Sequence, residues 1–185
     1  MNFMNHSDLS GQHAFLSASK YHWLNYDDEK LAQRYLAAAA VKRGTELHAF
    51  AASCIELGIK LPASKKTLNM HVNDAITYKM KPEVVLYYSE NCFGTADAIS
   101  FRKNVLRIHD LKTGAEPASI NQLLVYAALF CLEYRTKPGE IATELRIYQN
   151  DEALIHKPEA DEILPIMDRI VSADKIIRKL KEQEA

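Results

Sequence analysis

Two aspartates and a lysine stand near the middle of the chain, on two segments whose alternating pattern predicts neighbouring β-strands. Asp97 lies within the segment 93–101, Asp110 lies near the end of the segment 105–111, and Lys112 directly follows that segment. Residues two apart share one face of a strand, so Asp110 and Lys112 are expected side by side. Carboxylates are hard oxygen ligands that suit Mg²⁺ or Mn²⁺, and an adjacent ammonium group can offset negative charge on a phosphate.

The apolar residues of these two segments predict the register of a β-hairpin. Pairing Ile99 with Ile108 across the strands aligns the apolar side chains. The other pairs that follow are Phe101 with Leu106, Asp97 with Asp110, and Thr95 with Lys112. Opposed carboxylates have Cβ atoms about 5 Å apart and repel each other unless a cation lies between them. The alternative is an ordinary salt bridge between solvated strand residues, and the hairpin alone leaves both readings open.

Two predicted helices carry further polar side chains. His48 lies among apolar neighbours in the segment 28–58, where a histidine is either a metal ligand or, more commonly, a packed core residue. Gln122 and Tyr126 are four residues apart and therefore share one helix face. The alternative for this pair is a helix flank with the tyrosine in the core.

The period of the apolar pattern changes along the chain and predicts the elements that position these residues. Segments with helical spacing are 17–26, 28–58, 65–80, 119–134 and 160–184. Segments with strand character are 84–88, 93–101, 105–111 and 143–149. This order predicts an α/β fold in which a small mixed sheet of about four strands is flanked by helices.

Four motifs in this order resemble the RecB-type branch of the PD-(D/E)XK nuclease superfamily, which includes phage recombination exonucleases and CRISPR-associated RecB-like nucleases. The motifs are Gly44-x-x-x-His48, Gly94-Thr-Ala-Asp97, Asp110-Leu-Lys112-Thr-Gly114 and Gln122-x-x-x-Tyr126. Each is weak alone, but together they are fairly specific. The resemblance implies a restriction-endonuclease-like core with αβββαβ order. We expect one domain with a helical N-terminal extension at 1–36, a catalytic core at 37–150 and a C-terminal helix at 159–184.

The resemblance also implies a role for each motif residue. The implied metal ligands are His48, Asp97, Asp110 and the backbone carbonyl of Leu111. Asp97 and Asp110 would be catalytic through the metal, and Lys112 would be the catalytic lysine. Gln122 and Tyr126 would contact the DNA backbone or orient the catalytic site. The basic pair Arg102 and Lys103 is predicted to steer the DNA.

The expected activity is Mg²⁺- or Mn²⁺-dependent hydrolysis of DNA, as an exonuclease in recombination, repair or phage DNA processing. Some relatives hold an iron–sulfur cluster with one upstream and three C-terminal cysteines. No cysteine follows Cys131 here, so no such cluster is expected. The alternative is a nuclease-fold module that binds DNA or protein without turnover, and RNA remains open as a substrate. DNA is the expected partner, and a separate recombinase, annealing protein or helicase and a homo-oligomer are further alternatives.

Composition limits this hypothesis. The chain has 185 residues, of which 48% are hydrophobic and 25% charged, as in ordinary soluble single domains. It has no apolar run of transmembrane length and no signal-like N-terminus, which predicts the cytoplasm of a bacterial or phage-infected cell and no membrane partner. The net charge of −1 predicts that DNA affinity is modest and sensitive to salt.

Overall fold

The computed structural model describes residues 7, 11, 13–114 and 116–184. Backbone contacts divide the chain into two compact units, Met1–Arg43 and Gly44–Ala185. Positions 1–6, 8–10 and 12 of the predicted N-terminal extension lie outside the described residues. Every candidate site residue belongs to the second unit.

The first unit contains a 3₁₀ helix at Ala18–Asn25 and the first half of helix α1, which runs from Asp28 to Leu57. The 3₁₀ segment lies within the stretch 17–26 that the sequence predicts to be helical. Within this segment, the indole nitrogen of Trp23 donates a hydrogen bond to the carbonyl of Ser17 at 3.1 Å. Asp27 caps α1 by accepting the Lys30 amide at 2.7 Å, which satisfies a backbone donor that has no partner within the helix.

The second unit contains a mixed β-sheet whose strands follow chain order across the sheet. The strands are β1 Lys81–Ser89, β2 Cys92–Arg102, β3 Val105–Leu111, β4 Ala142–Gln149 and β5 Glu152–His156. The helices are α2 Thr67–Thr77, α3 Asn121–Glu133 and α4 Ala160–Glu184, together with the second half of α1. Neighbouring strands are antiparallel except β3 and β4, which are parallel and are connected through α3. The predicted α/β class and helix-flanked mixed sheet are confirmed.

The prediction of about four strands is wrong, because the described residues form a fifth strand, β5. This strand is short, and the residues Glu152 to Ile155 are exposed. It therefore lacks the alternation of buried and exposed positions that marks a strand in a sequence. Asn150 and Asp151, with φ of 51° and 58°, make the two-residue turn that joins it to β4. Asparagine and aspartate tolerate this left-handed conformation, so the Asn-Asp pair is the signal that could have revealed the hairpin.

Apolar side chains cover both faces of the sheet. On one face, α3 packs against β2, β3 and β4 through Leu123, Ala127 and Phe130, and α4 adds Ile163 and Ile170 to the same cluster. On the other face, the cluster contains Val72 and Ala75 of α2, Ala51, Cys54 and Ile55 of α1, and Ala98, Leu111 and Tyr148 of the strands. In β3, Leu106 and Ile108 enter the first core and Leu111 enters the second, as alternation requires, whereas in β2 the alternation breaks between Ala96 and Ala98, which enter different cores. Within the described ranges, each helix is too short or too polar to traverse a bilayer.

Candidate active site

The β2–β3 hairpin has the register that its apolar residues predict. The confirmed pairs include Ile99 with Ile108 and Phe101 with Leu106. The ladder between β2 and β3 ends at Ala98 and His109, so it does not include the predicted pair of Asp97 with Asp110. There the amide of Leu111 donates to Oδ2 of Asp97 at 2.8 Å. The carboxylate of Asp97 is therefore held against the strand that carries Asp110.

The predicted pairing of Thr95 with Lys112 is not formed. Thr95 pairs with Val85 of β1, and the amide of Lys112 donates to the carbonyl of Tyr148 in β4 at 2.9 Å. After Leu111 the chain follows β4 rather than β2. This path turns Lys112 away from Thr95 and brings its side chain to α3.

Lys112 connects the strand carboxylate to the polar pair on α3. Its Nζ lies 3.1 Å from Oδ1 and 2.9 Å from Oδ2 of Asp110, and it donates to Oε1 of Gln122 at 2.8 Å. The amide nitrogen of Gln122 donates in turn to the hydroxyl of Tyr126 at 3.1 Å. The structure therefore joins four of the predicted residues in one chain of hydrogen bonds, with Asp110 buried and Lys112 reaching solvent.

His48 approaches the same carboxylates from α1. Its Nδ1 lies 3.2 Å from Oδ2 of Asp97. Gly44, one turn earlier, is buried, and a Cβ at that position would lie 2.8 Å from Oγ1 of Thr113. The missing side chain lets α1 pass close to the loop after β3. Gly44 and His48 thus act as a pair, in which one residue permits the close approach and the other supplies the imidazole.

A second glycine makes room for Tyr126. A Cβ on Gly94 would lie 2.8 Å from Cε1 of the Tyr126 ring. The ring therefore crosses β2 directly over the glycine, three residues before Asp97. The glycines of the two motifs owe their identity to close approach, which spacing alone does not reveal.

Glu83 is a further carboxylate at the site that the sequence analysis missed. Pro82 pairs with Ala98 and Val84 with Ala96, so the register sets Glu83 opposite Asp97. Its φ of 49° departs from extended backbone within β1. One ligand atom from each of Glu83, His48 and Asp97 lies within 4.8 Å of the others. Detecting it would require the β1–β2 register, because Glu83 belongs to none of the four motifs.

The pKa values reflect crowding of carboxylates. Burial and the charge of Asp97 raise the pKa of Asp110 to about 6, although Lys112 acts in the opposite direction. Burial and Asp97 likewise raise the pKa of Glu83. Burial acts to raise the pKa of Asp97 too, but hydrogen bonds from His48 and the Leu111 amide hold it below its usual value.

The hydrogen bond to Asp97 raises the pKa of His48, and the charges of Asp97, Asp110 and Glu83 add to this effect against the opposing effect of burial. Three carboxylates thus share one imidazole and one ammonium group. Such an excess of negative charge favours a cation, and carboxylate and imidazole ligands are compatible with a divalent metal. The compact group consists of His48, Glu83 and Asp97, whereas Asp110 is engaged by Lys112.

Arg102 and Lys103 are not brought to this site. They lie at the tip of the β2–β3 hairpin, where Lys103 and Asn104 have φ of 49° and 59°. Arg102 follows Asp97 by five residues along β2, which corresponds to about 17 Å in an extended strand. Any contact of this pair with DNA involves a part of the polymer several nucleotides from the carboxylates.

No family model and no curated protein matches the chain.

Proposed function

We propose that the chain is a metal-dependent deoxyribonuclease, acting as an exonuclease, of the RecB-type branch of the PD-(D/E)XK superfamily. The proposal includes a restriction-endonuclease-like core. The observation that carries it is the convergence of four separate motifs on one site. The amide of Leu111, next to Asp110, donates to Asp97, His48 contacts Asp97, and Lys112 connects Asp110 to Gln122. Random placement of these polar residues would not unite a helix, two strands and a second helix around one cluster of carboxylates.

The residues that would hold a divalent cation are His48, Glu83, Asp97 and Asp110, with the carbonyl of Leu111. When bound, Mg²⁺ or Mn²⁺ would act as a Lewis acid on the phosphate and lower the pKa of a water molecule. Glu83 is the addition to the set implied by the sequence. Its position within 4.8 Å of the His48 and Asp97 ligand atoms supports that assignment.

Lys112 supplies a fixed positive charge beside these carboxylates. Its ammonium is positioned by Asp110 on one side and Gln122 on the other, and its side chain is 30% exposed, so a phosphate can reach it. It can donate a hydrogen bond to a water or to a phosphate oxygen. Because the ammonium is held before substrate arrives, it stabilises developing negative charge with little reorganisation.

Gln122 and Tyr126 hold Lys112 in place and present polar groups to the substrate. Gln122 accepts from Lys112 through its oxygen and donates to Tyr126 through its nitrogen, so its orientation is determined by both partners. Both residues reach the surface, where they can contact the phosphate backbone. We assign them a role in positioning Lys112 and the DNA.

The test is digestion of end-labelled linear DNA and closed circular DNA, single- and double-stranded, with Mg²⁺, Mn²⁺ or EDTA. We expect metal-dependent release of nucleotides from the ends of linear DNA. Lys112→Ala should lower the rate about a hundredfold or more, because one preorganised charge is lost. Lys175→Ala, which removes an exposed lysine of α4, is the matched control and should leave the rate unchanged.

Each result has a definite meaning. Full activity of Lys112→Ala would exclude the lysine from the mechanism. Absence of cleavage on every DNA form, together with measurable DNA binding, would favour the module without turnover. Cleavage of RNA but not DNA would overturn the assignment of the substrate. Cleavage of closed circles would replace the exonuclease with an endonuclease.

A further inference from the structure

Beside the candidate active site lies a groove lined by aromatic and cationic side chains. It has a volume of about 380 Å³ and lies between the start of β1, the second half of β2 and the end of α3. We call it the aromatic groove and define it by Phe101, Phe130 and Tyr134 with Lys79, Lys81 and Arg102. None of these residues belongs to the cluster of carboxylates.

The three aromatic rings form a continuous row. The ring centroids of Phe101 and Phe130 are 5.2 Å apart, and those of Phe130 and Tyr134 are 4.8 Å apart. The central ring of Phe130 is buried, whereas Phe101 is 45% and Tyr134 56% exposed. Two aromatic surfaces are thus open to solvent at the ends of the row. Exposed rings of this kind are platforms on which unpaired nucleic-acid bases stack.

The groove carries only positive charge. Lys79, Lys81 and Arg102 line it, and no acidic side chain does so. All three cations are exposed, and none forms an ion pair with another of the described residues. Free cations beside exposed rings match a ligand that has phosphates and flat bases. Bases within a duplex are stacked on each other, so the complementary ligand is a single strand.

The groove lies near Asp110 on the α3 face of the sheet. Ile99 lines the groove and pairs with Ile108, and Ile108 lies two residues from Asp110 on the same face of β3, which corresponds to about 7 Å. Val84 of the groove directly follows Glu83 in β1. A strand whose phosphate lies at the carboxylates therefore reaches the aromatic rings within a few nucleotides.

We propose that the aromatic groove binds single-stranded DNA, stacking bases on Phe101 and Tyr134 while Lys79, Lys81 and Arg102 contact phosphates. The inference rests on the proposed nuclease function for its link to catalysis, but binding itself requires no cleavage. It assigns Arg102 to a subsite a few nucleotides from the carboxylates and gives a role to Lys79 and Lys81, which lie just before β1 and at its first residue. It also explains how a chain with net charge −1 holds DNA, because its positive charge is concentrated where the strand lies.

The test is fluorescence anisotropy of a labelled 12-nucleotide oligo(dT) in EDTA, so that hydrolysis does not interfere. Tyr134→Leu should weaken binding about tenfold, and Tyr134→Phe should retain it, because stacking requires the ring and not the hydroxyl. The double change Lys81→Gln with Arg102→Gln should lower the slope of log K against log salt by roughly 1.4, or about 0.7 per lost phosphate contact. The matched controls Tyr21→Leu and Lys175→Gln remove exposed residues elsewhere and should bind like the wild type.

Thermal melting, monitored by circular dichroism, tests whether each variant folds. We expect each to fold, because the altered residues are exposed. Equal affinity of wild type and both groove variants, no measurable binding of the wild type, or equally good competition by a 12-base-pair duplex would overturn the proposal.

Hydrolysis of bis(p-nitrophenyl) phosphate separates the two proposals, because this diester is too short to reach the groove. Groove variants that hydrolyse it normally but bind DNA weakly support the groove. A wild type that binds oligo(dT) through the groove but hydrolyses no diester contradicts only the nuclease function.

Discussion

Lowering the pH from 7 to 5 should reduce the free energy of unfolding by about 2 kcal/mol through His71 alone. Replacing His71 by leucine should abolish that part of the loss. His71 lies on α2, is 1% exposed, and packs edge-on against Tyr148 with ring centroids 5.4 Å apart. Its Nδ1 is buried without a hydrogen-bond partner among the described residues. Burial therefore lowers the pKa of His71 from 6.5 to about 4.

The sign and size follow from proton linkage. Well above pH 6.5 the imidazole of His71 is neutral in both the folded and the unfolded state, so it adds no pH dependence to the stability. As the pH falls below 6.5, the unfolded chain binds a proton that the folded protein resists until about pH 4, so stability decreases. With these two pKa values the free-energy loss is about 0.2 kcal/mol at pH 7, about 2 kcal/mol at pH 5, and approaches about 3.4 kcal/mol below pH 4.

The assay is urea unfolding of wild type and His71→Leu at pH 5, 6, 7 and 8. The quantity of interest is the difference between the two free energies of unfolding, because titrating groups that do not interact with His71 are present in both proteins and largely cancel. His22→Leu is the control, because this imidazole is exposed in the folded protein as well as in the unfolded chain. A difference between wild type and His71→Leu that is independent of pH would refute the reasoning.

Three further predictions concern the close contacts and the carboxylates of the site. Gly94→Ala should cost about 1–3 kcal/mol in urea unfolding, because its Cβ would lie 2.8 Å from the rigid ring of Tyr126; an unchanged midpoint would contradict this contact. Gly44→Ala should cost less than Gly94→Ala in the same assay, because the Thr113 hydroxyl can rotate away and alanine favours the helix by about 1 kcal/mol; an equal or greater cost would contradict it. Glu83→Gln should weaken Mn²⁺ binding at least about tenfold in isothermal titration calorimetry, and unchanged affinity would exclude this carboxylate from the ligands.

The hairpin is the part of the site that the sequence predicts best. Side chains alternate along a regular strand, so pairing Ile99 with Ile108 also determines the pairing of Phe101 with Leu106. The contact of Gln122 with Tyr126 is local for the same kind of reason, since residues four apart are neighbours on a helix. Each prediction depends only on local information. The first uses the match of apolar residues between two adjacent strands, and the second uses the helical repeat within α3.

Other contacts depend on how distant segments pack. Glu83 enters the site through the register of β1 against β2, and its backbone conformation departs from the strand in a way that no alternation pattern signals. Lys112 turns to α3 because the chain follows β4 after Leu111. The strand β5 was missed because its side chains are exposed, so burial imposes no pattern on its sequence.

The sequence by itself determined the class of fold, the hairpin register and the residue types that could bind a cation and a phosphate. Tertiary structure alone decided which of them meet: His48 reaches Asp97, Glu83 joins them, and Arg102 lies with the aromatic groove instead. The physical reason is the range of the interactions. Periodicity and pairing act between neighbours in the chain or in a hairpin, whereas the site forms where two layers of helices pack on a sheet and glycines permit close approach.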